Sequence, residues 1–192
     1  MSERVVLLAG ATGRVGEAVA REVLAAGGKV ACAVRKPWQV AKVEERLGRE
    51  RVLVGVVGAR DAEAAAGFVK GASDALGPIT TFVGAAGMLR SRCPGKEPGG
   101  DLDELLEANL HANATLARAV LVGMRRRRAG ELRFYGMPEQ SSGLSTSSRV
   151  SKAALTEYVE ALRTDLLGSG IEVHIVPAPL DDAPIRSQEA KA

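Results

Sequence analysis

Residues 4–16, RVVLLAGATGRVG, constrain this chain more than any other stretch. An unbroken apolar run from Val5 to Ala9 enters a glycine-rich turn, and behind it Val15, Ala18, Val19, Val23 and Leu24 recur at helical spacing. Strand, tight turn and helix N-terminus in that order favour a phosphate. Gly10 permits the sharp turn, Gly13 lets a pyrophosphate approach the main chain, and Gly16 lets helix and strand pack closely. The first free N–H groups of the helix, at the positive end of its dipole, then face the anion. A purely structural turn is the plainer reading. The context, a buried-type strand before and an amphipathic helix behind, favours a dinucleotide-binding β-α unit in which Gly10, Thr12, Gly13, Arg14, Val15 and Gly16 meet the ligand.

The next element sharpens the choice of ligand. Gly27-Gly28 ends the helix and KVACAV (29–34) reads as a second buried strand, with Arg35 and Lys36 at its C-terminal end and Pro37 after them. In dinucleotide folds the adenosine ribose is read here, about 20 residues beyond the glycines. A carboxylate would accept from the 2′-hydroxyl and repel a 2′-phosphate; two cations do the reverse, each charge-assisted contact contributing about 1.5–3 kcal/mol. NADP(H) is therefore expected over NAD(H), with Arg14 as a third phosphate contact, unless Arg35 and Lys36 are solvated loop charges.

The remaining pattern alternates. Helical spacing covers 38–48, a third strand 51–58, a helix 61–76, and a fourth strand with a small-residue turn 79–87. A loop at 90–100 leads to a long helix from Asp101 to about Arg125, a strand at 131–135, a loop at 136–147, a helix at 148–167 and a strand at 171–176. Alternation at this spacing predicts an α/β fold, a single Rossmann-type doubly wound parallel sheet of about six strands flanked by helices. Residues 1–178 read as one NADP(H)-binding domain and 179–192 as a polar tail. The net charge of +3 and 3% aromatic content offer nucleic acid neither a strong field nor a stacking platform. The charge run Arg125–Arg128 suits the negative end of a helix dipole. Cys32 and Cys93 lack metal spacing and fit a reducing compartment, and His111 and His174 lack acidic or cysteine partners, so no metal is expected. No stretch approaches the ~20 apolar residues of a membrane helix, and a cytoplasmic protein is expected.

Four segments, in order, resemble the short-chain dehydrogenase/reductase family up to about residue 178. GATGRVG is similar to its glycine motif, and GPITTFVGAAG stands where the family has Asn-Asn-Ala-Gly. NLHANATLARAVLVGM resembles the helix that carries the family's asparagine, here Asn109. SRVSKAALTEYVEALRTDLLGSGIEVHIVPAP lies on the helix and strand around its Tyr-x-x-x-Lys motif. The resemblance implies a nicotinamide cofactor contacted also by Ala85, Ala86, Gly87, Lys152 and Pro177, a small carbonyl or alcohol substrate, and a homodimer built on the two long helices.

The chemistry departs from the pattern. In the family a tyrosine phenol transfers the proton, and a lysine four residues later holds the ribose and lowers the phenol pKa. Lys152 is present, but Ser148 stands at the tyrosine position. A serine hydroxyl is a far weaker acid than a phenol of pKa ~10. Loss of a placed general acid removes about 10²–10⁴-fold in rate, roughly 3–5.5 kcal/mol. The family's catalytic serine falls at Met137 counting from Gly130, or at Tyr135 counting back from Ser148. The second count allows an exchanged pair, Tyr135 supplying the phenol and Ser148 the hydroxyl; the plainer reading has Tyr135 ending a strand with its ring packed. Tyr158 falls off the catalytic face. Val56-Val57 replace the aspartate near adenine, Pro177-Ala178 replace Pro-Gly, and a seventh strand is expected to be missing unless the chain is cut short. Three functions remain: an NADP(H)-dependent oxidoreductase with a non-standard proton donor, its candidate catalytic residues being Asn109, Ser148, Lys152 and Tyr135; a catalytically silent NADP(H)-binding sensor; and a scaffold subunit without cofactor.

Overall fold

The strand and helix patterns resolve into one parallel sheet. A computed structural model describes residues 4–91, 96–139 and 142–178; Cys93 and the tail 179–192 lie outside these. The strands β1 Val5–Ala9, β2 Lys29–Val34, β3 Val52–Val56, β4 Thr81–Gly84, β5 Gly130–Tyr135 and β6 Ile171–Val176 take the order β3-β2-β1-β4-β5-β6. The helices are α1 Arg14–Ala25, α2 Trp38–Leu47, α3 Ala62–Leu76, α4 Asp101–Leu106, α5 Ala112–Arg127 and α6 Thr146–Asp165. Chain progression reverses between β1 and β4, so the crevice beyond their C-terminal ends is the topological switch point where doubly wound sheets bind ligands.

Alternation along β1 feeds two cores. Val6 and Leu8 pack with Ala20, Val23 and Val43 of α1 and α2. Val5, Leu7 and Ala9 pack with Ala65, Leu116, Val120 and Leu155 of α3, α5 and α6. The central strand is thus buried on both faces, as parallel sheets require, and reads as a continuous apolar run. β5 and β6 instead alternate: Leu132, Phe134, Ile171 and Val173 are buried, while on the opposite face Glu131 pairs with Arg133 and the Glu172 carboxylate lies 3.2 Å from His174 Nε2.

Several element ends differ from expectation for local reasons. β4 stops at Gly84, where the chain peels away after one last bond from Ala85 N–H to the Ala9 carbonyl, 3.0 Å. α6 begins earlier because Ser145 caps it, accepting the Ser148 N–H at 3.2 Å. The long helix from Asp101 is not uniform: Glu107–His111 is a π-helical segment in which Ala112 N–H reaches back to the Glu107 carbonyl. There the Asn113 side chain donates to the Asn109 carbonyl at 2.8 Å, the acceptor a regular α-helix would offer its main-chain N–H. The basic run is partly tied down, Arg127 donating to the Ile79 carbonyl at 2.7 Å while Arg128 takes a left-handed φ of 52° to end α5.

Gly10 holds the switch point together. Its φ is +89°, and a Cβ there would lie 2.5 Å from the Ala86 nitrogen. Gly27 has a similar φ of +82° with nothing within 4 Å, so it isolates the backbone cost from the packing cost. Gly27→Ala should lower the unfolding free energy by about 1–2 kcal/mol, the left-handed penalty alone. Gly10→Ala should add about 1–3 kcal/mol of overpacking to that. Urea denaturation of both variants tests this; equal losses would show that the contact with Ala85-Ala86 yields.

Candidate cofactor cleft and reaction centre

Above the switch point two clefts share the glycine turn. The first, about 160 Å³, is lined by Gly10, Thr12, Gly13, Arg35, Gln39, Val57, Gly58, Ala85, Ala86 and Gly87, among others. The second, about 360 Å³, is lined by Gly13, Arg14, Val15, Ala85, Gly87, Met88, Leu89, Tyr135, Lys152 and Ala178. Gly13, Ala85 and Gly87 border both. Gly13 also precedes α1 with no side-chain cap, leaving the first helical N–H groups to whatever lies over the turn. Gly16 lies beneath: a Cβ there would fall 2.2 Å from the Gly10 carbonyl oxygen.

The first cleft is small-walled at its centre and cationic at one end. No described residue lining it is acidic. Arg35 reaches its wall, whereas Lys36 does not border it. Val57 adds apolar surface to the wall, and Val56 does not border it.

The second cleft is held by a set of main-chain clamps. Asn109, wholly buried in the π-helical segment, accepts from Met88 N–H at 2.7 Å and donates to the Met88 carbonyl at 3.0 Å and to Ser151 Oγ at 2.8 Å. Two residues on, Ser148 does the same to Arg90: its Oγ accepts from Arg90 N–H at 2.8 Å and donates to the Arg90 carbonyl at 3.1 Å. Ser145 Oγ donates to Ser148 Oγ as well, at 3.1 Å. The Arg90 guanidinium closes on Asp101 and Glu104, and Glu97 accepts from the Thr146 and Ser147 N–H groups over the α6 N-terminus. Segment 88–91 is thereby strung between the π-helical segment and the start of α6. Asn113 adds a tie, donating to the Ala86 carbonyl at 2.9 Å.

Ser148 is consequently 0% exposed and borders neither cleft. Its hydroxyl proton and lone pairs are engaged by main chain and by Ser145, which leaves it no proton to pass to a ligand. Pro177 also borders neither cleft; its neighbour Ala178 does.

Lys152 is the ionisable group at the centre of the second cleft. It is 4% exposed, its Nζ donates to the Tyr135 carbonyl at 2.8 Å, and burial pushes its pKa down to about 8. A Cβ at Gly87 would lie 3.3 Å from Nζ and 2.7 Å from Asn109 Oδ1, so a glycine at 87 keeps this wall open. Tyr135 packs its ring on the α1 side of the sheet while bordering the second cleft beside Lys152. Tyr158 lies elsewhere, edge-on to Phe134 at 6.3 Å. Cys32 is buried and its thiol pKa is pushed up to about 12 by desolvation, which makes it inert. His111 is half-buried, its pKa lowered by burial and by Arg60 and Arg118 against the pull of Glu107. Among the described residues no three His, Cys, Asp or Glu side chains gather as around a metal ion.

Sequence reasoning missed Asn113, Arg90, Glu97 and Gln39. Asn113 carried a signal, standing four residues after Asn109 and so on the same helix face. The other three act through long-range or turn contacts that spacing does not reveal.

The sheet order, the uncapped glycine turn and the paired clefts define a doubly wound α/β protein of the dinucleotide-binding class. The family model for short chain dehydrogenases matches residues 4–191. The chain belongs to the short chain dehydrogenase family, an oxidoreductase family that binds nicotinamide cofactors. It is 29% identical over 172 residues to a short chain dehydrogenase of Pseudocercospora fijiensis, covering 86% of this chain and 55% of that protein. It is 28% identical over 181 residues to a monensin polyketide synthase putative ketoacyl reductase of Streptomyces virginiae, covering 91% and 69%. An oxidoreductase of the same family from Burkholderia thailandensis superposes with a TM-score of 0.83 at 26% identity, over 96% of this chain and 72% of that one. The chain spans between about a half and two thirds of the length of the first curated relatives it matches. Among the described residues no helix is long and apolar enough to cross a membrane.

Two outcomes follow from the geometry. Ser148→Ala should cost about 1–3 kcal/mol in urea denaturation, because Arg90 N–H loses its buried acceptor. Lys152 is protonated in both folded and unfolded chains below about pH 8, so its burial penalty is fully present there. Above that pH the folded chain releases the proton while the unfolded chain keeps it, until the ordinary lysine value of 10.5. Stability relative to Lys152→Met should therefore rise between about pH 8 and 10, by at most about 1.4 kcal/mol per pH unit. Paired denaturation curves over that range check it.

Proposed function

We propose that the chain is an NADP(H)-dependent oxidoreductase acting on a small carbonyl or alcohol compound, with a non-standard proton donor. The observation that carries this reading is the pair of clefts joined over an uncapped glycine turn, with Arg35 and no acid on the wall of the first. The residues fit a dinucleotide. Gly13 and the α1 N-terminus suit the pyrophosphate, Arg35 with Lys36 nearby suits a 2′-phosphate, and Lys152 with Ala85, Ala86 and Gly87 suits the nicotinamide ribose. Nicotinamide, when bound, supplies or accepts the hydride. The chain's own part is to bind, to exclude water with the apolar wall Met88–Leu89, and to move a proton.

Of the side chains on the second cleft, Lys152 and Tyr135 are the ones that can pass a proton, since the Arg14 guanidinium holds its own. Lys152 stands at the cleft with its proton loosened by burial, and Tyr135 offers a phenol on the same wall. Residues 1–178 act in this reading as the cofactor-binding unit. A homodimer is in keeping with Val122 on α5 and Val150 on α6, large apolar side chains 56% and 46% exposed.

A second reading, cofactor binding without turnover, is favoured by one observation: the residue at the family's tyrosine position is locked onto the Arg90 main chain. Two measurements separate the readings. In thermal shift with NADPH, NADP⁺, NADH and NAD⁺, the phosphorylated cofactors should stabilise the wild type more, by about 2.7 kcal/mol at one hundred times the dissociation constant. Arg35→Ala should weaken NADPH by roughly tenfold to a hundredfold, one charge-assisted contact. Cofactor-dependent reduction of a carbonyl panel, lost in Lys152→Ala, supports the enzyme; tight NADPH binding with no turnover supports the silent protein. No shift with any cofactor defeats both.

A further inference from the structure

The second cleft presents an amine in surroundings that favour its unprotonated form. Lys152 is 4% exposed on α6, and its Nζ donates to the Tyr135 carbonyl at 2.8 Å. Among the described residues it has no counter-ion, and none that lines the cleft is acidic. Val15, Met88 and Leu89 give the cleft an apolar wall, and Arg14 is the other cation on it. Ser148, one turn before Lys152, has its hydroxyl turned to the Arg90 main chain and serves the amine in no way. Gly87 keeps the approach open, since a Cβ there would lie 3.3 Å from Nζ. Burial lowers the lysine pKa to about 8, and a single neutral acceptor does not restore it. The neutral amine keeps its bond to the Tyr135 carbonyl with one of its two protons. Deprotonation therefore leaves the nitrogen in place and frees a lone pair.

A desolvated lysine amine in a mostly apolar cleft is the nucleophile of Schiff-base chemistry. We propose that Lys152 is a carbonyl-capturing nucleophile, its Nζ forming a reversible imine with a small aliphatic aldehyde or ketone seated against Met88 and Leu89. The Nζ lone pair adds to the carbonyl carbon as the C=O π bond breaks, and one proton passes from nitrogen to oxygen to give the carbinolamine. The C–O bond then breaks, the hydroxyl leaves as water with the remaining N–H proton, and the C=N bond forms. Nothing is oxidised or reduced, so no co-reactant is needed, and water reverses the sequence. This activity goes beyond the cofactor reading and does not require it. A nicotinamide ribose at Nζ would compete with the carbonyl compound for the same amine.

The test is made on the wild-type chain, so that no variant has to fold. The protein is treated at pH 8 with cyanoborohydride and butanal over a range of butanal concentrations, and each lysine is followed by peptide mass spectrometry. Cyanoborohydride adds hydride to the imine carbon, so a captured lysine gains the mass of butanal less one oxygen atom. Lys70 serves as the reference amine, its side chain 79% exposed and paired with Asp74 at 2.6 Å. At pH 8 an amine of pKa about 8 is half unprotonated, against about 0.3% for a lysine at the ordinary 10.5. Lys152 is therefore expected to label at least about tenfold faster than Lys70 in spite of its burial, at a rate that saturates with butanal because the cleft binds the aldehyde first. Labelling no faster than at Lys70 overturns the inference, because the amine is then protonated or shielded. Faster labelling that rises linearly with butanal overturns it too, because the amine is then reactive without a binding site. A parallel run with saturating NADP⁺ separates the two readings. Saturable labelling that NADP⁺ suppresses supports both, and saturable labelling that persists supports the imine while counting against a ribose at Nζ.

Discussion

The close approach of backbones at Gly10 governs the rest of the molecule. A Cβ at Gly10 would sit 2.5 Å from the Ala86 nitrogen, and one at Gly16 would sit 2.2 Å from the Gly10 oxygen. Three segments, the end of β1, the start of α1 and the exit of β4, therefore meet at main-chain distance. That contact sets where β4 leaves the sheet, and so where segment 85–91 runs. It also fixes α1 so that its uncapped N-terminus points over the crevice rather than into the core. Every residue on either cleft is placed relative to this junction.

From the junction onward, segment 88–91 is positioned by side chains rather than by strand pairing. Asn109 and Ser148 each bind both main-chain groups of a residue, Met88 and Arg90, in the way a neighbouring strand would. Buried N–H and C=O groups need partners, and here polar side chains from two helices supply them. The cost to chemistry is direct. A serine whose hydroxyl completes the main-chain bonding of Arg90 cannot also serve a ligand.

Periodicity and punctuation made most of the fold legible in advance. β1 and β2 ended where apolar runs met glycine or cations, β6 ended before Pro177, and the alternation of strands and helices implied the parallel sheet. The π-helical segment was not legible, because Glu107–His111 has ordinary helical composition and its backbone shift depends on a side chain, Asn113, entering the hydrogen-bond ladder. The α6 start was hidden for a related reason: Ser145 looks like loop until its capping bond is seen. For the site, glycine spacing and the cations after β2 marked the cleft. Local sequence could not reveal that Ser148 turns toward Arg90, 58 residues distant. Gln39 reaching back to the N–H groups ahead of α2 follows the habit of a glutamine in a first helical turn, and was not legible in advance because Pro37 hid where that turn begins.

The two ends of the crevice are built differently. The first cleft depends on main-chain groups and glycine, which side-chain substitution disturbs little, together with the exposed cation Arg35, which costs nothing to the core. The other side depends on buried polar side chains, where each change must keep every partner satisfied. A buried serine is stable there because Ser148 finds the Arg90 main chain and Ser145 as partners. Lys152 has no such compensation. It keeps a single neutral acceptor, the Tyr135 carbonyl, in a cleft where burial works against its charge. A buried cation without a counter-ion is a standing destabilisation, which packing alone gives no reason to keep. An anionic or hydroxylated ligand beside Nζ would supply the partner that the fold withholds.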